Sequence, residues 1–436
     1  QRQMCIRDRA RTARLTTVWL CLAVLAAGAT TVFRTALPQP LWTTIHLVTL
    51  GVLTNGILQW SWYFARALLR LPPGDRHSGR DNTRRILALN AALVVLIASM
   101  WAEWAPGAVV GATGVGAVAA WHGLALVVAA RTRLASRFAV VLRYYAAAAA
   151  FLVLAALLAG LVVTAAFAAS APQWLVGARS AITVAHAIAG VGGWVGLTMG
   201  GTIVTLGPTA VRTRMDPRAV DLASLALPVW TAGLLTAVAG ALAGHMRAVA
   251  TGLALVGLAA AAGIAYPLAR AAMRKGPSEY GSWSMCLGTA WILVGVAVVA
   301  QHAWTTGTGE QLRAANLPWL PIIGAGGLGQ VFIGALTYLM PVVIGGGPRA
   351  VRVGVGALEA AAPMREAARN AALVLLAAAT ASQAPAAAPL ATACWAVVLA
   401  TYLADIVLMA RAGTAQARAR TAPPSPSPSN TGGPRG

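Results

Sequence analysis

Apolar residues run through this chain in twelve blocks, parted by short stretches where arginine, proline and glycine gather. A helix needs roughly 20 apolar residues to cross the hydrocarbon of a bilayer, so each block reads as one crossing. The blocks fall near 15–35, 41–65, 86–104, 107–130, 144–169, 179–206, 219–244, 248–269, 282–304, 318–345, 370–387 and 390–410. The fourth is so rich in glycine and alanine that its neighbours are expected to pack closely on it.

A weak repeat lies over this pattern. Gly207-Pro208-Thr209-Ala210-Val211-Arg212 is echoed by Gly347-Pro348-Arg349-Ala350-Val351-Arg352, 140 residues later. The same interval links His46, His186 and Gly326, in the second, sixth and tenth blocks. The predicted fold is all-α and membrane-integral, with twelve transmembrane helices in three arcs of four about a pseudo-threefold axis. Blocks two, six and ten would occupy equivalent places and line the interior.

Composition agrees. Of 436 residues, 58% are hydrophobic and 10% charged, with a mean hydropathy of +0.70, which excludes a soluble domain of this size. The formal charge of +22 would suggest nucleic acid in a soluble chain. Its distribution says otherwise: segments that twelve crossings leave on one side carry 26 Lys and Arg, and the other side has only Arg34, Arg179, Arg247 and Arg313. Positive residues stay inside, so both termini are expected to be cytoplasmic in a multi-pass protein of the inner (plasma) membrane. The basic charge is then topology and contact with anionic membrane lipid, and no nucleic-acid partner is expected. Trp42, Trp101, Trp104, Trp174, Trp304 and Trp319 fall at outer ends of blocks, where amphipathic rings prefer to sit.

Residues 1–9, QRQMCIRDR, are unlike the rest and read as a non-native or artefactual N-terminus; 10–412 form one membrane domain, and 413–436, rich in proline and serine, a disordered cytoplasmic tail. Cys21, Cys286 and Cys394 stand singly in apolar runs, without the pairing of a disulfide or zinc site.

Candidate chemistry rests on histidine. His46 and His186 lie roughly 8–11 Å below the outer surface at a rise of 1.5 Å per residue, at matching depths on helices the repeat makes equivalent. His245 and His302 close the outer ends of blocks seven and nine, and His122 lies a third of the way in from the arginine-rich face. His77 belongs to a charged loop and reads as solvated. Neutral imidazoles suit a metal or cofactor; hydrogen bonding to a neighbouring helix is the plainer alternative for each. Asp405, near the inner end of block twelve, is within snorkelling distance of Arg411, and no second acid is expected beside it. Asn55, Gln59 and Gln330 read as interhelical hydrogen-bonding groups. No catalytic residue is assigned.

The stretches IHLVTLGVLTNGILQWSWYF, AHAIAGVGGWVGLTMGGTIVTLGPTAVRTRM and GQVFIGALTYLMPVVIGGGP resemble the membrane domain of actinobacterial proteins associated with multicopper oxidases and copper nitrite reductases. More broadly the chain resembles haem–copper oxidase subunit I and the NnrS-like proteins. The resemblance implies haem b and/or copper, held by His46 and His186 as cofactor ligands, with His302 and His245 as further metal ligands. It implies service to an extracytoplasmic copper oxidase or copper nitrite reductase. Oxidases of this plan carry histidines on the tenth helix, where this chain has Gly326, so a degenerate site and no complete terminal oxidase is expected. A transporter or permease for a small solute or metal ion, and a non-catalytic membrane anchor, remain the other readings.

Overall fold

The computed structural model describes residues 18–30, 32–70, 80–131 and 139–421. The described residues are helical throughout their ordered elements and contain no strand. A short apolar helix, α1 (Val18–Thr30), comes first. Next come α2 (Pro40–Leu69), α3 (Asp81–Trp101), α4 (Ala105–Arg131), α5 (Ala139–Phe167), α6 (Gln173–Ala210), α7 (Ala219–Leu242), α8 (Met246–Arg274), α9 (Tyr280–Thr305) and α10 (Ile322–Ile344). Then follow α11 (Ala362–Ser382) and α12 (Pro385–Thr421). All but α1 and α11, ten helices among the described residues, are long and apolar enough to cross a membrane. The chain is an all-α, multi-pass membrane protein. Each of the twelve apolar blocks falls on one helix.

Small residues let these helices approach backbone to backbone, as expected for packing without a hydrophobic driving force between helices. A Cβ on Gly111 of α4 would sit 2.7 Å from the backbone nitrogen of Leu96 in α3. Gly233 of α7 and Gly252 of α8 face each other so closely that a Cβ on either would meet the other's carbonyl oxygen at 2.6 or 2.4 Å. The glycine-rich block therefore behaves as anticipated.

Three helices share an unusual feature. The backbone bonding widens to the i→i+5 pattern over Leu47–Thr54 in α2, Ile188–Gly196 in α6 and Ile322–Gly329 in α10. A fourth, shorter such stretch, Ala261–Ala265, lies in α8. Such turns are rare and gather at functional sites. α2 and α6 run side by side and meet at positions one repeat apart: Trp194 Nε1 donates to Thr54 Oγ1 over 2.9 Å. The ring of Phe332 in α10 lies against Gly56 of α2, where a Cβ would come within 2.4 Å of it.

The repeat also appears in hydrogen bonding. Asn55 of α2 and Asn90 of α3 exchange amide bonds, each also donating to the carbonyl one turn before it, Gly51 and Ile86. Gln330 of α10 and Asn370 of α11 do the same, with Gly326 and Glu366 as the carbonyl partners. Asn90 and Asn370 are two repeats apart, and each opens a matching run, Asn-Ala-Ala-Leu-Val-Val-Leu and Asn-Ala-Ala-Leu-Val-Leu-Leu.

Past α10, Gly345, Gly346 and Gly347 all hold positive φ (64°, 99° and 85°), which side-chain-bearing residues rarely adopt. This turn delivers an amphipathic helix, Gly347–Leu358, against the end of α12. There Gln416 Nε2 donates to the carbonyls of Pro341 and Gly345. That packing keeps α12 helical to Thr421, so residues 413–421, expected in a disordered tail, are a buttressed helical end. Residues 1–9, 422–436 and His77 lie outside the described residues.

Candidate functional site

α2 opens on Pro40, whose fixed φ and missing N–H suit a first turn. Six residues further, His46 is the last residue before the backbone widens at Leu47. On α6, His186 sits two residues before the widening at Ile188. α6 starts at Gln173, earlier than expected, yet the two imidazoles come together: their ring centres are 6.2 Å apart and their planes 16° from parallel. His46 Nδ1 bonds the Trp42 carbonyl at 2.9 Å, and His186 Nδ1 bonds the Ala155 carbonyl of α5 at 2.8 Å. A carbonyl only accepts, so each Nδ1 carries the proton and each Nε2 keeps its lone pair. Among the described residues no hydrogen bond reaches either Nε2. The Trp42 indole stacks on His46, 4.1 Å from its ring centre at 22°.

Two oriented imidazoles with free Nε2 lone pairs are a donor set for a metal, and the carbonyl bonds are the outer-shell contacts that fix ligand tautomers. Among the described residues no three His, Cys, Asp or Glu side chains converge where an ion could sit. Zinc normally takes three or four protein ligands, so two suit a metal whose other positions come from a macrocycle. The pair would offer such a group two neighbouring imidazoles, nearly parallel and each with its Nδ1 committed to a carbonyl.

The other candidate histidines are not joined to this pair. His302 Nδ1 bonds Asn316 Oδ1 at 2.8 Å, and its ring meets Trp319 edge-on. His245 caps the start of α8 at the surface. His122 of α4 is buried, with Nε2 bonded to Ser61 Oγ of α2 at 2.9 Å and its ring edge-on to Trp194. The three described cysteines are free thiols.

A second cluster went unread in the sequence. Asp405 of α12 does not snorkel toward Arg411; it is fully buried and accepts from Arg365 and Arg369 of α11 and, at 2.7 Å, from Tyr280 Oη of α9. Arg369 also donates to Thr401 Oγ1 and lies over the Tyr402 ring, 4.2 Å from its centre. Nor is Asp405 the lone acid: Glu366, one turn before Asn370, accepts from Ser284 of α9 and from Asn370. Two arginines and two carboxylates thus share one buried network in which each donor has an acceptor. The signal available was Arg365-Glu366-x-x-Arg369-Asn370 directly before an apolar run, with Asp405 on the next helix; reading the run as a loop hid it.

No family model matches the chain, and no curated protein matches it.

Proposed function

We propose that this protein is a haem-binding membrane protein in which His46 and His186 would hold one haem b, at a site too sparse for a terminal oxidase. The carrying observation is the pair itself: two imidazoles at 6.2 Å, nearly parallel, each with Nδ1 committed to a carbonyl and Nε2 unpaired. When bound, the haem iron supplies reversible one-electron transfer. The chain's part is to hold both rings in one tautomer, to shield one through Trp42, and to keep the site within helices α2, α5 and α6.

The frame for this reading is twelve crossings in three arcs, with α2, α6 and α10 equivalent and both termini cytoplasmic. It draws support from the paired positions one repeat apart, from the amide pairs of the first and third arcs, and from the one-sided arginines. The histidines then open toward the extracytoplasmic side, where a copper oxidase or copper nitrite reductase partner would exchange electrons with the haem. Copper held by the same two imidazoles is the second reading, since imidazole nitrogen suits copper as well as iron.

The test is an absorbance spectrum with metal analysis on the full chain, expressed with haem supplied and purified in neutral detergent. The expected result is a haem band and about one iron per chain, lost in His46→Ala and in His186→Ala but kept in His245→Ala. Copper without haem moves the reading to the copper site. Neither metal in folded protein overturns both, and the permease or anchor reading takes their place.

A further inference from the structure

Arg85 of α3 and Arg365 of α11 are two repeats apart, five residues before the paired asparagines Asn90 and Asn370. Both are buried, and each lies over an aromatic ring: Arg85 over Trp62 at 4.5 Å, Arg365 over Tyr280 at 4.0 Å. Their hydrogen bonding differs. Arg365 is fully engaged, with Nη1 on Asp405, Nε on the Ala360 carbonyl and Nη2 on the Leu358 carbonyl. Arg85 makes one bond, from Nη2 to Asn82 Oδ1 at 3.2 Å; its Nε and Nη1 are buried with no acceptor. The position two repeats before Asp405 is Ala125, half-buried on α4, so no carboxylate stands there; Asp81, one turn before Arg85, is paired with Arg84.

His122, one turn before Ala125, takes the place of Tyr402 and is 1% exposed; its Nε2 donates to Ser61 Oγ, whose own proton goes to the Ile57 carbonyl, so its Nδ1 is an acceptor. The Trp121 ring, beside it in sequence, is 5.9 Å from the Arg85 guanidinium. A buried guanidinium with two idle donors is costly unless an anion completes it, and stacking on indoles offsets only part of that cost.

We propose that Arg85, bonded to Asn82 and stacked on Trp62, forms a binding site for an oxyanion of carboxylate or phosphate type that stands where Asp405 stands in the third arc. The oxygen would accept from Nη1, the same atom that serves Asp405 in Arg365, and from Nε. A lipid headgroup or a small solute anion could bring that oxygen, since the site lies in the first turns of α3, at the arginine-rich end. The proposal does not depend on haem, because the site shares no residue with His46 and His186.

The test is thermal unfolding of the full chain, stripped of lipid in neutral detergent. It is titrated with sodium phosphate, with phosphatidylglycerol, and with sodium chloride at matched ionic strength. Phosphate or phosphatidylglycerol should raise Tm by about 2–4 °C beyond the chloride control, the shift expected when a ligand binds only the folded state at many times its Kd. Response to phosphate indicates a solute site; response to phosphatidylglycerol alone indicates a headgroup. Ala125→Asp should supply the anion internally, raising Tm without additive and abolishing the response, and Arg85→Met should abolish it too. A wild-type chain unmoved by both additives, or variants that respond like wild type, would overturn the proposal.

Discussion

The first four and the last four helices use one frame for opposite ends. In both, a carboxamide on the second helix trades bonds with an asparagine on the third, and a buried arginine sits five residues before that asparagine. The last four have Gly326 where the first have His46, and they tie Arg365, Arg369 and Tyr280 to Asp405. The first four hold His46 beside His186 and leave Arg85 Nε and Nη1 without an acceptor. The difference is one of pairing: charge locks the last helices together, while the first keep buried donors and acceptors unpaired.

The comparison is broken or sharpened first at Asp405. Asp405→Ala strands two buried guanidinium groups and should cost about 3–5 kcal/mol, read as a large fall in Tm or failure to accumulate in the membrane. Arg85→Met orphans no carboxylate and should cost far less in the same assay. If the two cost alike, the two ends are not differently built.

Next come the amide pairs. Asn90→Leu leaves the Asn55 amide buried with unmet partners, at about 1–3 kcal/mol, whereas Asn55→Leu with Asn90→Leu should recover much of that loss. A double variant as damaged as the sum of the singles would show that the amides act separately. Smallest is Gln416→Ala, which frees the Pro341 and Gly345 carbonyls near the helix end and should cost about 1 kcal/mol, seen as earlier proteolysis after residue 412.

Much of this frame was legible because hydrocarbon imposes long apolar runs, and every run became a helix. α11 was legible only from Asn370 onward, since Arg365, Glu366 and Arg369 read as loop to any measure of hydropathy; hydrogen-bond partners on α9 and α12, remote in sequence, satisfy them. His46 and His186 were legible through their repeat interval and depth, and helices packed in parallel carry that interval into a contact. Ring spacing, tautomers and the widened backbone turns depend on packing that spacing alone does not encode. Asn90 and Asn370, with their matching runs, were the clearer repeat signal and went unread beside the Gly-Pro pair.

The proposal to test most directly is that His46 and His186 would together hold one haem. The direct measurement is the low-temperature electron paramagnetic resonance spectrum of the oxidised, haem-supplied protein. A low-spin ferric signal of two imidazole ligands is expected, lost in His46→Ala and in His186→Ala alike. A spectrum without low-spin iron, or one that survives either substitution, would contradict it.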